Sequence, residues 1–439
     1  MRDLLLMSIV IPAALLALRR PWIGVLLWTW LSLMNPHRYT WGFAATAPVA
    51  AMAAVSTLLG LLGTRERESP FKGPPPVLLA LFMTWMTVSW LMGLDPKGDF
   101  AQWDKVAKIN LMVLVTLALL RTKQHIFAFT WVCALSLGLL GAKGGVFTVL
   151  NGGSYRVWGP SGSFIEDNNH LALAMVMTIP LLRFLQMQLH GFWARQGMTV
   201  FMVLVAASAL GSHSRGALLA IGAMTVLLWW RGKSHFVGGL MIAAVALGLL
   251  GFMPDEWTGR MQSIGEYDED QSAQGRLAAW SMAWNAALHY PFGVGFNAAR
   301  EELFAMYSSN PSVGTPVAHS IYFQVLGQHG FVGLALFLLL WISTWRWAAK
   351  LRKEAAGIPQ ATWCTDLAGM CQVSLLGYGV GGAFLNLAHF DLPYNVMALV
   401  VMARVWVMRR SWEHEPAYRS EGWLRIPGLG TPELAGKGR

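Results

Sequence analysis

Five side chains of this 439-residue sequence could bind an anion or move a proton: His319, Arg215, Arg276, Arg156 and Asp391. His319 stands in Thr315-Pro-Val-Ala-His-Ser320, directly before a long apolar run. In the first turn of the helix that such a run forms, the helix dipole disfavours a protonated imidazole. His319 should therefore be neutral near pH 7, as a general base must be. A capping or interfacial histidine without chemistry would have the same spacing.

The three arginines have the chemistry of a diphosphate site. Arg215 lies in Gly211-Ser-His-Ser-Arg-Gly216, a tight turn between two apolar stretches, where an unpaired cation close to hydrocarbon is costly. A guanidinium binds phosphate oxygens in a bidentate manner, which an ammonium cannot do. Arg276 begins an amphipathic segment, and Arg156 follows Tyr155 in a polar loop. Together they predict a cationic pocket, unless they are solvated or snorkelling charges.

The acidic residues allow two interpretations each. Asp391, in His389-Phe-Asp-Leu-Pro393, could support His319 or pair with an arginine, or it could cap the last helix. Asp167-Asn-Asn-His170 likewise indicates a helix cap or sugar-binding groups. The acidic cluster at 266–270 resembles a solvated loop more than a metal site. We expect no metal, and the sequence contains no ATP-binding or serine-hydrolase motif.

The elements that position these residues should be membrane helices. The chain is 55% hydrophobic and 13% charged, with a mean hydropathy of +0.45, which indicates an all-α polytopic membrane protein. Its net charge of +10 resides in short clusters between apolar runs, so we expect no nucleic acid partner. With about 20 residues per crossing, the sequence predicts 12 or 13 spans. They lie near 3–18, 21–34, 43–62, 76–93, 106–120, 124–141, 168–187, 197–211, 216–230, 235–253, 320–345, 365–386 and 392–408.

The distribution of basic residues predicts how the chain is oriented in the membrane. One set of alternate loops carries nineteen Lys and Arg and the other carries nine, so the first set should be cytoplasmic. The predicted organisation is a transmembrane bundle over 1–253, with a smaller periplasmic loop near 142–167. This bundle is followed by a periplasmic helical loop over 254–318, C-terminal transmembrane helices over 319–410 and a cytoplasmic tail over 411–439. The loop near 142–167 is rich in turn residues and should be irregular.

The large loop should contain two helices. Leu277, Trp280, Trp284 and Leu288 recur at helical spacing and predict an amphipathic helix on the membrane surface or over a cavity. Asn297 is the expected N-cap of a second, short helix that reaches Tyr307.

The order of these motifs resembles the O-antigen ligase family over roughly residues 165–345. The resemblance is carried by Ser214-Arg-Gly-Ala217, Gly275-Arg-Leu277, Trp280, Pro291-Phe-Gly-Val-Gly295, His319-Ser320, Leu326-Gly327 and Gly330. The beginning of the chain, with Met34-Asn-Pro-His-Arg38 and Trp41-Gly-Phe43, is similar to the O-glycosylation ligases found with exosortase systems.

The resemblance implies a GT-C-like glycosyltransferase of the bacterial inner membrane, acting on the periplasmic side without cofactor. Its donor would be a glycan on undecaprenyl diphosphate and its acceptor lipid A-core oligosaccharide. Arg215 and Arg276, with Arg156, would bind the diphosphate, His319 would activate or position the acceptor hydroxyl, and Asp391 would support the site. The alternatives are a protein O-oligosaccharyltransferase, an O-antigen polymerase or, in another class, a lipid-linked sugar flippase.

Overall fold

The structure is a computed structural model, which describes residues 1–232, 271–310 and 314–415 and two short strands beyond them. Fourteen α-helices account for most of these residues. They are α1 (Arg2–Arg19), α2 (Pro21–Met34), α3 (Val49–Gly63), α4 (Pro74–Leu91), α5 (Pro96–Leu119), α6 (Lys123–Leu150), α7 (Asn168–Gln188), α8 (Phe192–Gly211), α9 (Arg215–Arg231), α10 (Gln271–His289), α11 (Glu301–Tyr307), α12 (Ile321–Ala355), α13 (Thr362–Gly381) and α14 (Asp391–Met408). The strands β1 (Tyr418–Arg419) and β2 (Thr431–Pro432) pair antiparallel.

Seven of the described helical segments are long and apolar enough to cross a bilayer: α4, α6, α7, α8, α12, α14 and Pro359–Phe384, which includes α13. Helices α2 and α3 are apolar but shorter. These helices are those of a polytopic membrane protein. Every predicted span within the described residues overlaps an α-helix, although the span at 43–62 begins six residues before α3. The span predicted at 235–253 lies outside the described residues. The total of 12 or 13 crossings stays a prediction.

Polar side chains begin several of these helices. The Asp95 carboxylate accepts a hydrogen bond from the Gly98 amide at the start of α5, and the Thr122 hydroxyl accepts one from His125 at the start of α6. Such caps satisfy amide groups that the first turn leaves unpaired. Helices α7 and α14 then form the centre of the bundle, where most of their residues are buried.

The loops between the helices fall into two groups, and each group makes contacts within itself. At one end, four hydrogen bonds join separate loops: Gly42 to Asp3, Leu94 to Val294, Val157 to Gly211 and Ser320 to Asn386. At the other end, Glu68 binds Arg121 and Arg409, and Gln188 binds Asp366. The first group is the set with fewer basic residues. We call its side of the bundle the outer end.

The loop predicted to be irregular over 142–167 begins later than expected. Helix α6 continues to Leu150, so 142–150 is helical and the irregular loop starts after it. The glycines that suggested turns serve helix packing instead. A Cβ atom on Gly145 would lie 1.9 Å from the Leu204 carbonyl oxygen of α8, and one on Gly144 would lie 2.3 Å from Ser208 Oγ.

Both predicted helices of the large loop exist, but the second starts three residues later than predicted. Helix α11 begins at Glu301, and its N-cap is Arg300 instead of Asn297. The reason is that the backbone amides of Phe296 and Asn297 donate to the Asp99 carboxylate of α5, which holds this segment extended.

The side on which each group of loops lies can be tested by labelling. Ser154 of the outer end and Ser69 of the other end are exposed, while all three native cysteines are buried. We expect Ser154→Cys to react with a membrane-impermeant maleimide in intact cells. Ser69→Cys should react only after the membrane is opened. The reverse pattern would contradict the orientation that the basic residues predict.

Candidate functional site

His319 lies at the outer end, two residues before α12 begins at Ile321. The sequence predicted that His319 lies in the first helical turn, but it precedes the helix. Its φ of 43° is left-handed, a conformation that non-glycine residues adopt rarely and at a cost. The backbone is held on both sides: the Trp280 indole donates to the Ala318 carbonyl oxygen at 2.7 Å, and the Ser320 amide donates to Asn386 Oδ1 at 3.4 Å.

The surroundings of His319 keep its imidazole neutral. Its pKa lies below the ordinary value of 6.5, first because the half-buried ring is desolvated and then because Arg276 and His170 are close enough to repel a proton. Asp167 acts in the opposite direction but more weakly. The direction of this shift agrees with the neutral histidine that the sequence predicts. Its cause is burial and nearby cations, not the helix dipole.

Helix α10 brings Arg276 to this histidine. The preceding residue, Gly275, packs against the segment that carries His319, since a Cβ atom there would lie 3.6 Å from Pro316 Cγ. Arg276 is half-buried, and its charge acts on the imidazole. Arg276 and His319, 43 positions apart in the sequence, therefore belong to one site.

Trp280 has a role in the site that the sequence did not predict. It was predicted to belong to an apolar stripe with Leu277, Trp284 and Leu288, and those three are indeed exposed. Trp280 instead points inward, where its ring stacks on Phe323 with centroids 4.8 Å apart and its indole binds the residue before His319. The only sequence signal was a tryptophan one turn after Arg276.

The start of α7 forms another side of the site. The Asp167 carboxylate accepts hydrogen bonds from the amides of Asn169 and His170, at 2.9 and 3.4 Å, which confirms its role as a cap. His170 is an electrostatic neighbour of His319. Asn168 Nδ2 donates to the Ser212 carbonyl oxygen at 2.6 Å, and so ties α7 to the turn that carries Arg215.

Arg215 is the first residue of α9 and is half-buried. The Ser214 hydroxyl caps this helix, and His213 Nε2 binds the Gly153 carbonyl oxygen at 2.8 Å. A Cβ atom on Gly216 would lie 3.5 Å from the Gly381 carbonyl oxygen, at the end of α13. Gly382, the residue after the end of α13, packs against Ile321 at the start of α12.

Arg215, Arg276 and His319 therefore border one region of the outer end, which we call the outer mouth. Its borders are the starts of α7, α9 and α12, the end of α13 and the arginine-bearing part of α10. Two guanidinium groups and a neutral imidazole in such a place can bind an anionic group and accept a proton.

Two predicted site residues lie elsewhere. Arg156 is exposed and lines a cavity of about 220 Å³ with Lys143 and Tyr39. Asp391 is buried at the start of α14, where the Ser32 hydroxyl of α2 donates to its carboxylate. Among the described residues, no hydrogen bond or ion pair joins Asp391 to His319. The roles predicted for Arg156 and Asp391 stay predictions. The acidic cluster at 266–270 lies outside the described residues.

The environment of His319 can be measured directly. In protein labelled with ¹⁵N-histidine, we expect the NMR titration of His319, assigned with His319→Ala, to have a midpoint below pH 6.5. Arg276→Gln should raise this pKa because a repelling cation is lost, and Asp167→Asn should lower it because an attracting anion is lost. Lys97→Gln, at an exposed outer lysine, is the control. Unchanged midpoints in both variants would refute the described neighbourhood.

Comparison with known protein families identifies the domain that carries the outer mouth. The O-antigen ligase family model (Wzy_C) matches residues 200–338, which include Arg215, Arg276 and His319. A family of unknown function (DUF5935) matches residues 1–190. No curated protein matches the chain. Residues 200–338 of this chain are therefore similar to the O-antigen ligase family.

Proposed function

We propose that the protein is an O-antigen ligase of the bacterial inner membrane. It transfers a glycan from undecaprenyl diphosphate to a hydroxyl of lipid A-core oligosaccharide on the periplasmic face. One observation carries the proposal: His319 lies beside Arg276, at the mouth that Arg215 also borders, within the residues that match the O-antigen ligase family model. No metal ion or nucleotide has a part in the proposed reaction.

The reaction is a single displacement at the anomeric carbon. The acceptor oxygen forms a bond to that carbon while the bond to the diphosphate oxygen breaks, and the configuration inverts. The leaving lipid diphosphate gains negative charge, which Arg215 and Arg276 stabilise. His319 accepts the proton of the acceptor hydroxyl on the opposite side.

Donor binding would also prepare the base. In the free protein, Arg276 lowers the pKa of His319. A bound diphosphate would offset that charge and add negative charge nearby, which favours a protonated imidazole. The pKa of His319 would then rise toward its ordinary value, so the imidazole becomes a stronger base only when a donor is present.

Glycan transfer in cells tests both the reaction and its acceptor. A strain without its own ligase should produce glycan-capped lipopolysaccharide when it carries the wild-type protein. It should not do so with His319→Ala or Arg215→Ala at equal membrane levels. Glycosylation of a periplasmic protein instead would indicate a protein O-oligosaccharyltransferase, and longer lipid-linked glycans would indicate a polymerase. Full activity of His319→Ala would exclude the proposed base.

Trp280 should act as a positioning residue. Trp280→Phe keeps an aromatic ring on Phe323 but removes the hydrogen bond to Ala318. Since such a bond contributes about 1 kcal/mol, we expect the transfer rate to fall about five- to tenfold. The KM for the donor should change little. Trp284→Phe, at an exposed position on the same helix, is the control. Equal rates for the two variants would contradict this role.

A further inference from the structure

A groove at the outer end, separate from the outer mouth, lies between α1, α2 and α6. Its volume is about 340 Å³. The walls are apolar side chains, among them Leu5 and Ile9 of α1, Trp30 of α2 and Leu139 of α6. Leu5, Ile9 and Leu139 are 66%, 46% and 50% exposed, so the groove opens sideways on the surface that faces lipid.

The outer side of this groove is cationic. Arg2 and Lys143 line it, and Lys143 also lines the adjoining cavity of about 220 Å³ with Arg156. No carboxylate lines either space. Within the described part of the chain, these three cations form no ion pair. Their charge is therefore available to an anion.

Aromatic groups hold two of these cations in place. The Arg2 guanidinium lies 4.3 Å from the centroid of the Trp41 ring, and its Nη1 donates to the Tyr39 carbonyl oxygen at 3.3 Å. Lys143 Nζ lies 5.0 Å from the centroid of the Tyr39 ring. Tyr39 thus joins the two cations and also lines both spaces.

The order of polar and apolar groups along the helices matches that of a membrane lipid. At 1.5 Å per residue, Arg2 lies about 10 Å outward from Ile9, and Lys143 about 6 Å outward from Leu139. Hydrocarbon would therefore contact the inner part of the groove, while a negative group would meet the cations at its outer part. Neither an inorganic anion nor a sugar would use the apolar walls.

We propose that this groove binds a membrane lipid with a phosphate-bearing headgroup. The chain of the lipid lies against α1 and α6, its phosphate lies between Arg2 and Lys143, and the rest of the headgroup reaches the cavity of Arg156. The site is distinct from the outer mouth and does not depend on the proposed ligase reaction.

Binding can be measured by native mass spectrometry of the full-length protein in detergent, titrated with phosphatidylglycerol or with uncharged diacylglycerol. We expect one phosphatidylglycerol to bind, and Lys143→Met to weaken it about tenfold. Lys97→Met, at another exposed outer lysine, should bind like the wild type. Equal binding of both lipids, or equal effects of the two lysine variants, would overturn the proposal.

Two further experiments separate the contribution of the apolar walls from that of the phosphate group. Leu139→Trp fills the groove and should weaken binding while Lys143 stays intact, whereas Leu111→Trp, at an exposed leucine of α5, should not. An excess of inorganic phosphate should not displace the lipid, and displacement would show a site for a free anion instead. His319→Ala and Arg215→Ala should retain the lipid, which distinguishes this test from that of the ligase reaction.

Discussion

The site depends on hydrogen bonds to the backbone of the segment that returns from α10 to the bundle. The Asp99 carboxylate accepts from the amide of Phe296 at 2.7 Å and from that of Asn297 at 3.3 Å. The Gly295 amide donates to the Gln328 carbonyl oxygen at 3.1 Å, beside the break in α12. Buried backbone groups must find partners, so these contacts determine where the large loop lies.

Two glycines make this docking possible. Gly293 and Gly295 have φ angles of 84° and 101°, which favour glycine, and a Cβ atom on Gly293 would lie 2.3 Å from the Gln328 carbonyl oxygen. Gly330, with a φ of 66°, interrupts α12 at the same level. The close approach of these backbones places α10 over the start of α12. Trp280 then reaches Ala318, and Arg276 reaches His319.

Much of this arrangement could be predicted from local sequence. Long apolar runs predict helices because each must satisfy its own backbone within the bilayer, and the described helices agree with them. Asp167 was recognised as a possible cap because capping acts over three residues. The motifs around Arg276 and His319 also indicated the O-antigen ligase family, whose model matches residues 200–338.

The errors concern contacts between distant segments. Gly144 and Gly145 suggested turns, but their role depends on α8, which lies about 60 residues further along the chain. Asn297 was expected to cap a helix, yet Asp99 holds its amide. For Asp391 the sequence offered His319, an arginine or a helix cap, but not its hydrogen-bond donor Ser32, which is 359 positions away. Local spacing carries no information about such partners, and it could not reveal the second role of Trp280.

In the proposed reaction, the arginines bind the donor diphosphate while His319 only moves a proton. The most direct test is binding of a polyprenyl diphosphate to purified protein, measured together with glycan transfer. Arg215→Gln and Arg276→Gln should each weaken binding about tenfold or more, as expected for a lost charge-assisted hydrogen bond. His319→Ala should bind the diphosphate like the wild type but transfer no glycan. Normal binding by both arginine variants, or transfer by His319→Ala, would contradict this division of roles.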